Sequence, residues 1–360
     1  MDLLPGFLTP WVVFAGVLAL HLLLPARRVT GYVRDEHSGE LLRYRLNGPL
    51  VLVVSVGIWI TLGLSGAVPW DWLWQHRWPG LAGAFTLGLL LSVAVVARAP
   101  GRGGAFLAEL YYGRRENPQV FERRADAKMV LYLAGAVLLQ LHLLSFAAHH
   151  FLAYPDDPSP GVMLYVALFS WFVCDYLIFE RVHLYTYDLF AERLGFKLVW
   201  GCLCWYPYFY VVGLWWAADL PNPHAPAWLL VLSALIFLAG WGLARGANMQ
   251  KFTFKLDPER VFLGRIAPRA FSDGERHVLY SGFWGVSRHV NYLGEILMAC
   301  GLALALGWPL AIGPWLYPLY YVVLLFPRER DDDARCADKY GALWDSYREK
   351  VPWRIVPKVY

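Results

Sequence analysis

Residues 129–153 read MVLYLAGAVLLQLHLLSFAAHHFLA, a run without a single Asp, Glu, Lys or Arg. As a helix this run is about 37 Å long at 1.5 Å per residue, enough to cross the roughly 30 Å hydrocarbon core of a bilayer. It is apolar on every side and not along one stripe, as a span surrounded by lipid or other spans must be. Comparable blocks lie at 8–24, 49–68, 80–98, 161–179, 198–217 and 227–244. A last block, 293–326, is interrupted by Pro309, Gly313 and Pro314, which break helices readily, so it reads as a hairpin of two short helices. The expected fold is all-α, a polytopic transmembrane helical bundle of about 9–10 spans with a cytoplasmic C-terminal tail.

Composition agrees. The 360 residues are 58% hydrophobic and 17% charged, where a soluble domain carries roughly 25% charged residues. The net charge of +4 does not signal nucleic acid, because the arginines cluster between apolar blocks. Segment 25–48 holds Arg27, Arg28, Arg34, Arg43 and Arg45; segment 99–128 holds Arg102, Arg114, Arg115, Arg123, Arg124 and Lys128; 180–197, 245–292 and 327–360 are also basic. The alternate loops 69–79, 154–160 and 218–226 carry Arg77 and no other Lys or Arg. That alternation places the N-terminus outside and the C-terminus in the cytoplasm, and two helices within 293–326 preserve the parity. The first apolar run has no basic segment before it and Arg27 and Arg28 after it, the pattern of a first span that stays in place. Trp70, Trp72, Trp74, Trp78, Trp215 and Trp216 read as interfacial belts. No internal repeat or low-complexity linker divides the chain, so one domain over 1–360 is expected, richer in polar residues in its last third.

Polar residues that interrupt apolar spans are costly and therefore mark candidate sites. Three groups stand out: Asp175, Glu180, His183, Thr186 and Asp188; Asn248, Gln250, Lys251 and Lys255; and the run from Leu279 to Tyr360. Glu180 and His183 sit at i, i+3, a spacing that suits a metal pair. The ten histidines are spread along the chain, however, and no metal is expected. Among the five cysteines the only close pair, Cys202 and Cys204, is spaced too tightly for a zinc knuckle or a redox motif. The dinucleotide fingerprint G-x-G-x-x-G is absent; Gly101, Gly103 and Gly104 form a loop with no strand before it.

The last third carries the strongest pattern. Residues 281–295 read SGFWGVSRHVNYLGE, and 328–357 read RERDDDARCADKYGALWDSYREKVPWRIVP. These stretches resemble the sterol reductase family that includes the Δ14- and Δ7-sterol reductases and the lamin B receptor. That family carries S-G-[WF]-W-G-x-x-R-H-x-N-Y-x-G-D and R-x-x-R-D-x-x-x-C-x-x-K-Y-G-x-x-W-x-x-Y-x-x-x-V-P-Y-R-x-x-P. Upstream, Gly246 to Lys251 is similar to its A-N-x-Q-K element. Asp175, Glu180, Thr186, Asp188, Gly195, Phe196, Gly201, Trp205, Pro207 and Tyr210 follow its spacing, and Tyr112, Gly113, Asn117 and Pro118 its F-x-G-x-E-x-N-P. The likeness covers about residues 105–360, with 1–104 weakly matched.

The resemblance implies NADPH-dependent reduction of a sterol double bond, Δ14 or Δ7, in a bacterial inner membrane or endoplasmic reticulum. The sterol and membrane lipids are the partners expected. It places NADPH in a cytoplasm-facing pocket at Lys251, Lys255, Leu279, Trp284, Asn291, Tyr292, Asp332, Cys336, Tyr340 and Tyr347, with Arg288 and Arg328 as neighbours. A 2′-phosphate needs Lys or Arg, and adenine can stack on Trp or Tyr. The chain departs from the pattern at Lys255 for Arg, Val290 for Pro, Glu295 for Asp and Phe172 for a frequent Tyr. Phe283 and Val290 lean towards the Δ7-like branch. Because an isolated alkene is a poor hydride acceptor, protonation should come first and hydride transfer second. Tyr347 and Asp332 are the expected proton relay, with Glu180, kept protonated by burial, as the alternate. Two other readings remain. One is an isoprenylcysteine-type membrane methyltransferase using S-adenosylmethionine, which shares the R-H-x-x-Y-x-G pattern but lacks the A-N-x-Q-K element. The other is a non-catalytic scaffold, expected to carry a soluble N-terminal domain where this chain begins almost at its first span.

Overall fold

The computed structural model describes residues 3–35 and 38–360. The chain forms two compact units, Met1–Asn222 and Pro223–Tyr360. The division falls inside the short proline-rich stretch 221–226, PNPHAP.

The first unit is helical apart from two hairpins. Its apolar helices are α1 (Leu3–Leu23), α2 (Gly48–Leu64), α4 (Arg77–Ala97), α6 (Ala127–Ala153) and α7 (Pro160–Ile178), with α3 (Trp72–Gln75) and α5 (Phe106–Tyr112) as short turns between them. After α8 (Glu180–His183) and α9 (Tyr187–Phe190), the chain crosses again over Phe196–Ala217. That crossing starts as α10 (Phe196–Trp200) and ends as α11 (Val212–Ala217). Between them Gly201–Phe209 widens into a π-helix around Pro207, which cannot donate the backbone bond of a regular turn. The long apolar run of α6 is the centre of this unit, 89% buried against 17% for α1. Asp126 caps α6 by accepting from the Met129 N–H at 3.1 Å. In the basic segment 25–48, β1 (Arg27–Arg34) pairs antiparallel with β2 (Leu41–Leu46). Val29 and Gly31 alternate with exposed Arg28 and Thr30, so period-two patterning overrides the reading of a plain loop. A second, two-residue pair joins β3 (Gln119–Val120) to β4 (Ala125–Asp126).

The second unit consists of α12 (Ala227–Leu256), a hairpin of β5 (Ala270–Ser272) and β6 (His277–Leu279), a 3₁₀ turn at Gly282–Gly285, α13 (Val290–Ala305), α14 (Ile312–Tyr340) and α15 (Ala342–Lys350). Helices α12 and α13 approach backbone to backbone. A Cβ on Gly294 would lie 2.5 Å from the Ala244 nitrogen, and one on Gly301 2.7 Å from the Ser233 carbonyl oxygen. Small residues at a membrane helix contact allow this approach.

Among the described residues, six helices are long and apolar enough to cross a membrane; α2 and α13 are shorter apolar helices. With the apolar first half of α14, every block read from the sequence is a helix. The protein is a polytopic, mainly helical membrane protein whose polar connections add three short hairpins.

Candidate functional site

The site residues of the second unit stand where its long helices leave the apolar layer. The apolar part of α12, 227–244, is about 27 Å long, so Asn248, Gln250, Lys251 and Lys255 project beyond it. Helix α14 is apolar to Phe326 and then turns to Arg328, Asp332, Cys336 and Tyr340, which recur every fourth residue and share one face. Helix α13 starts at the same end. There Asn291 Nδ2 lies 3.5 Å from Asn248 Oδ1, while Tyr292 is buried.

Charge is crowded here. Lys255 and Cys336 each lie within electrostatic reach of Lys251, Lys339 and Asp332. Burial, with Asp332 second, pushes the Cys336 thiol up to about 12, so it presents a neutral apolar wall. His289 lies on Tyr292, rings stacked with centroids 5.0 Å apart, and its Nδ1 is 3.9 Å from Asp332 Oδ2. Burial lowers the His289 pKa to about 4 against the pull of Asp332, leaving the imidazole neutral at pH 7.

Trp284 is fixed from three sides. Its Nε1 donates to the Ala247 carbonyl at 2.9 Å, and its own carbonyl accepts from the Tyr347 hydroxyl at 2.9 Å. Gln250, buried beneath the turn, accepts from the Phe283 N–H and donates to the Ser281 carbonyl, each at 3.0 Å. Gly282 between them has φ +62°, and a Cβ there would sit 2.5 Å from Gln250 Nε2, so both the left-handed conformation and the space call for glycine. The Lys251 ammonium lies 5.3 Å from the Trp284 ring centre. Leu279 packs with Ala247, Trp284 and Val290.

Below this surface Asp333 gathers three donors: Arg288 Nη1 at 2.8 Å, Arg348 Nη2 at 2.7 Å and Trp344 Nε1 at 3.0 Å. Burial alone would raise its carboxyl, but the Arg348 bond, the Arg288 charge and the Trp344 indole outweigh it and hold the pKa below the ordinary range. Backbone bonds from Arg288 to the Trp353 carbonyl and from His289 to the Arg354 carbonyl tie the tail to the start of α13. Arg288 Nε, His289 Nε2 and Asn291 Oδ1 are buried without a partner in the protein. Native proteins rarely leave buried polar atoms so, and three within four residues call for a ligand or water.

The sequence matches the family described as "Ergosterol biosynthesis ERG4/ERG24 family" over residues 6–360. The chain belongs to that family. It is similar to the Delta(14)-sterol reductase of Arabidopsis thaliana, at 33% identity over 94% of this chain and 91% of that protein. The Delta(14)-sterol reductase of Methylotuvimicrobium alcaliphilum is 32% identical over 99% of this chain and 83% of its own length. The Delta(14)-sterol reductase TM7SF2 of Mus musculus is 32% identical over 98% and 86% respectively. Because the family match starts at residue 6, it includes the first hundred residues, where quoted motifs are sparse.

In this ERG4/ERG24 protein most of the residues singled out from the sequence meet within the second unit. Arg328 shares the face of Asp332 and Cys336, and Tyr340 stacks against Trp344 beside Cys336. Tyr347 is 2% exposed and its hydroxyl donates to a backbone carbonyl. Glu180 belongs to the first unit. Its Oε2 accepts from the Gly48 N–H at 3.0 Å, at the start of α2, and burial pushes its pKa up to about 7 despite that bond. Of its sequence neighbours, His183 lies against Tyr176, and Lys128 bonds the Asp188 and Leu189 carbonyls. Among the described residues no three His, Cys, Asp or Glu gather as a metal would need.

Sequence reading assigned no role to Asp333, His289 and Lys339, and named Gln250 without its part in holding the turn at Gly282. Asp333 had a readable signal: with Glu329 it makes an i, i+4 pair on a different face from Arg328 and Asp332. His289 gave none, since only burial shows that its ring nitrogen lacks a partner.

Proposed function

We propose that this protein reduces a ring carbon–carbon double bond of a sterol, the Δ14 bond, with NADPH as reductant. The observation that carries the cofactor reading is the crowding of Lys251, Lys255 and Lys339 around Asp332 and Cys336, next to buried polar atoms that lack partners. Burial first, and the Lys251 and Lys339 ammonium groups after it, lower the Lys255 pKa to about 6, so an anionic ligand arriving here would restore its charge. Lys251 and Lys255 would hold phosphate oxygens, Trp284 and Tyr340 offer ring faces, and Asn291 Oδ1 and His289 Nε2 would bond polar groups of the cofactor. NADPH, when bound, supplies a hydride. The chain's part is to hold the cofactor, exclude water and deliver a proton to the alkene.

For the proton, Tyr347 reads better as a positioning residue. Its hydroxyl already donates to the Trp284 carbonyl, and burial raises its pKa above the ordinary 10.0. Asp332 beside neutral His289 is a polar pair able to relay a proton. Glu180, at about 7, still holds one near neutral pH.

The choice of Δ14 follows the names of the similar proteins from Arabidopsis thaliana, Methylotuvimicrobium alcaliphilum and Mus musculus, and replaces the Δ7 lean drawn from Phe283 and Val290. Purified protein given Δ14, Δ7 and Δ24 sterols with NADPH should add two hydrogens to the Δ14 substrate, seen by mass spectrometry. Reduction confined to a Δ7 sterol would reject the bond assignment. No reduction of any sterol, with methyl transfer from S-adenosylmethionine in a parallel assay, would reject the reaction class.

A further inference from the structure

The face of α14 opposite the proposed cofactor residues carries a second built feature. Arg330 and Ala334 follow Arg328 and Asp332 by two positions, about 200° around the helix at 3.6 residues per turn. They line an open cleft of about 580 Å³ with Asp333, Arg348, Arg354 and Tyr360.

Three guanidinium groups meet here, and each is held on its inner side. Arg354 Nη1 donates to Glu329, which is fully buried, at 3.2 Å. Arg348 donates to buried Asp333 at 2.7 Å and reaches Asp345 on the rim at 3.4 Å. Arg330 bonds through Nε to the Tyr360 hydroxyl at 3.4 Å and is exposed. Buried Glu329 and Asp333 fix Arg354 and Arg348 in place, and exposed Arg330 presents its guanidinium to the cleft. Planar guanidinium groups in this arrangement suit phosphate oxygens.

The same face continues into the membrane. Ile312, Leu319, Val323 and Phe326 precede Arg330 at helical spacing, and Ile312, Leu319 and Val323 are exposed by 72%, 51% and 72%. The Phe326 ring stacks on Tyr360, centroids 5.0 Å apart, at the point where the apolar stripe meets the arginines. Trp353 and Val359 of the tail are exposed as well. An apolar stripe long enough for acyl chains, ending in an arginine-lined cleft, matches an amphiphile and not a free anion.

We propose that this cleft binds the phosphate headgroup of an anionic phospholipid whose chains lie along Ile312–Phe326. The proposal is independent of the sterol and NADPH readings. The test uses the full chain purified in detergent, with phosphatidylglycerol, phosphatidylcholine or inorganic phosphate added, read by native mass spectrometry and by the shift in melting temperature. Phosphatidylglycerol should be retained and should raise Tm, while phosphatidylcholine and inorganic phosphate should not. Arg330→Glu should cut retention roughly fivefold or more, one surface cation's share, with Arg330→Gln between it and the parent. Size-exclusion profiles matching the parent would show that both variants fold. Equal retention in Arg330→Glu would overturn the proposal. Displacement of the lipid by inorganic phosphate, or an equal Tm shift from phosphate alone, would overturn the lipid and leave a free phosphate compound as the ligand.

Discussion

At the scale of single residues, position decides what a polar group can do. Tyr347 and Lys251 both touch Trp284, from opposite sides of its role. The Tyr347 hydroxyl holds the Trp284 carbonyl, so Tyr347→Phe leaves a buried acceptor unpaired, at a cost of about 1–3 kcal/mol. The expected outcome is a lower Tm and a raised KM for NADPH with kcat nearly unchanged. A fall in kcat of roughly 10²-fold with KM intact would instead mark a general acid and restore the role first read from the sequence. Lys251 lies over the Trp284 ring, 5.3 Å from its centre, where its ammonium can meet an anion. Lys251→Ala should therefore weaken NADPH far more than NADH, by roughly tenfold or more for a charged hydrogen bond to the 2′-phosphate. Titration of both dinucleotides checks this, and equal losses would move the phosphate contact to Lys255 or Lys339. The resemblance could point to these residues because motif spacing records which side chains occur together. It could not show that the Tyr347 hydroxyl is already engaged, since that depends on a turn built by Gln250 and Gly282.

At the scale of elements, the apolar periodicity placed the helices, and the polar segments held the surprises. Residues 129–153 and α6 coincide within two residues because nothing in that run competes with a helix. The run 227–244 understated α12 by twelve residues, since Arg245 to Leu256 continue the helix beyond the apolar layer with polar side chains that a hydropathy reading stops at. The hairpin of β1 and β2 was hidden by its arginines, whose charge dominates the segment while Val29, Leu42 and Tyr44 do the packing. Glu180 shows the same limit. Its sequence spacing with His183 suited a metal pair that the scattered histidines did not support, and nothing in the spacing showed that its carboxyl joins the start of α2. Burial lifts that carboxyl from 4.5 to about 7, so the folded chain retains a proton that the unfolded chain releases between those values. Its contribution to stability is therefore complete below about pH 4.5 and declines as pH rises through about 7. Glu180→Gln has no proton to lose and keeps an acceptor for Gly48. The Tm of the variant relative to the parent should rise between pH 5 and pH 8, the underlying stability difference having a ceiling of roughly 3 kcal/mol at 1.36 kcal/mol per pKa unit. A difference that does not change with pH would place the titration elsewhere.

At the scale of the whole molecule, the placement of the basic segments makes a testable statement about sidedness. With α1, α2, α4, α6, α7, the stretch Phe196–Ala217, α12, α13 and the first half of α14 each taken as one crossing, the series is odd and the two ends of the chain should face opposite sides of the membrane. Which side is which follows from charge. The hairpin of β1 and β2, segments 99–128 and 180–197, the end of α12 and everything after Phe326 carry Lys and Arg, while 154–160, 218–226 and 306–311 carry none. Basic loops are retained on the cytoplasmic side, so the C-terminal tail should be cytoplasmic and the N-terminus outside. The helix ends bearing Lys251 and Asp332 would then face the compartment where reduced nicotinamide cofactors are made. A fluorescent protein that matures only in the cytoplasm, fused after Tyr360, should be bright, and the same protein fused before Leu3 should stay dark. A periplasmic phosphatase at the same two positions should give the reverse pattern. A dark C-terminal fluorescent fusion with an active phosphatase there would put Lys251, Lys255 and Asp332 outside the cytoplasm. The NADPH reading would then fall whatever the affinity of the purified protein.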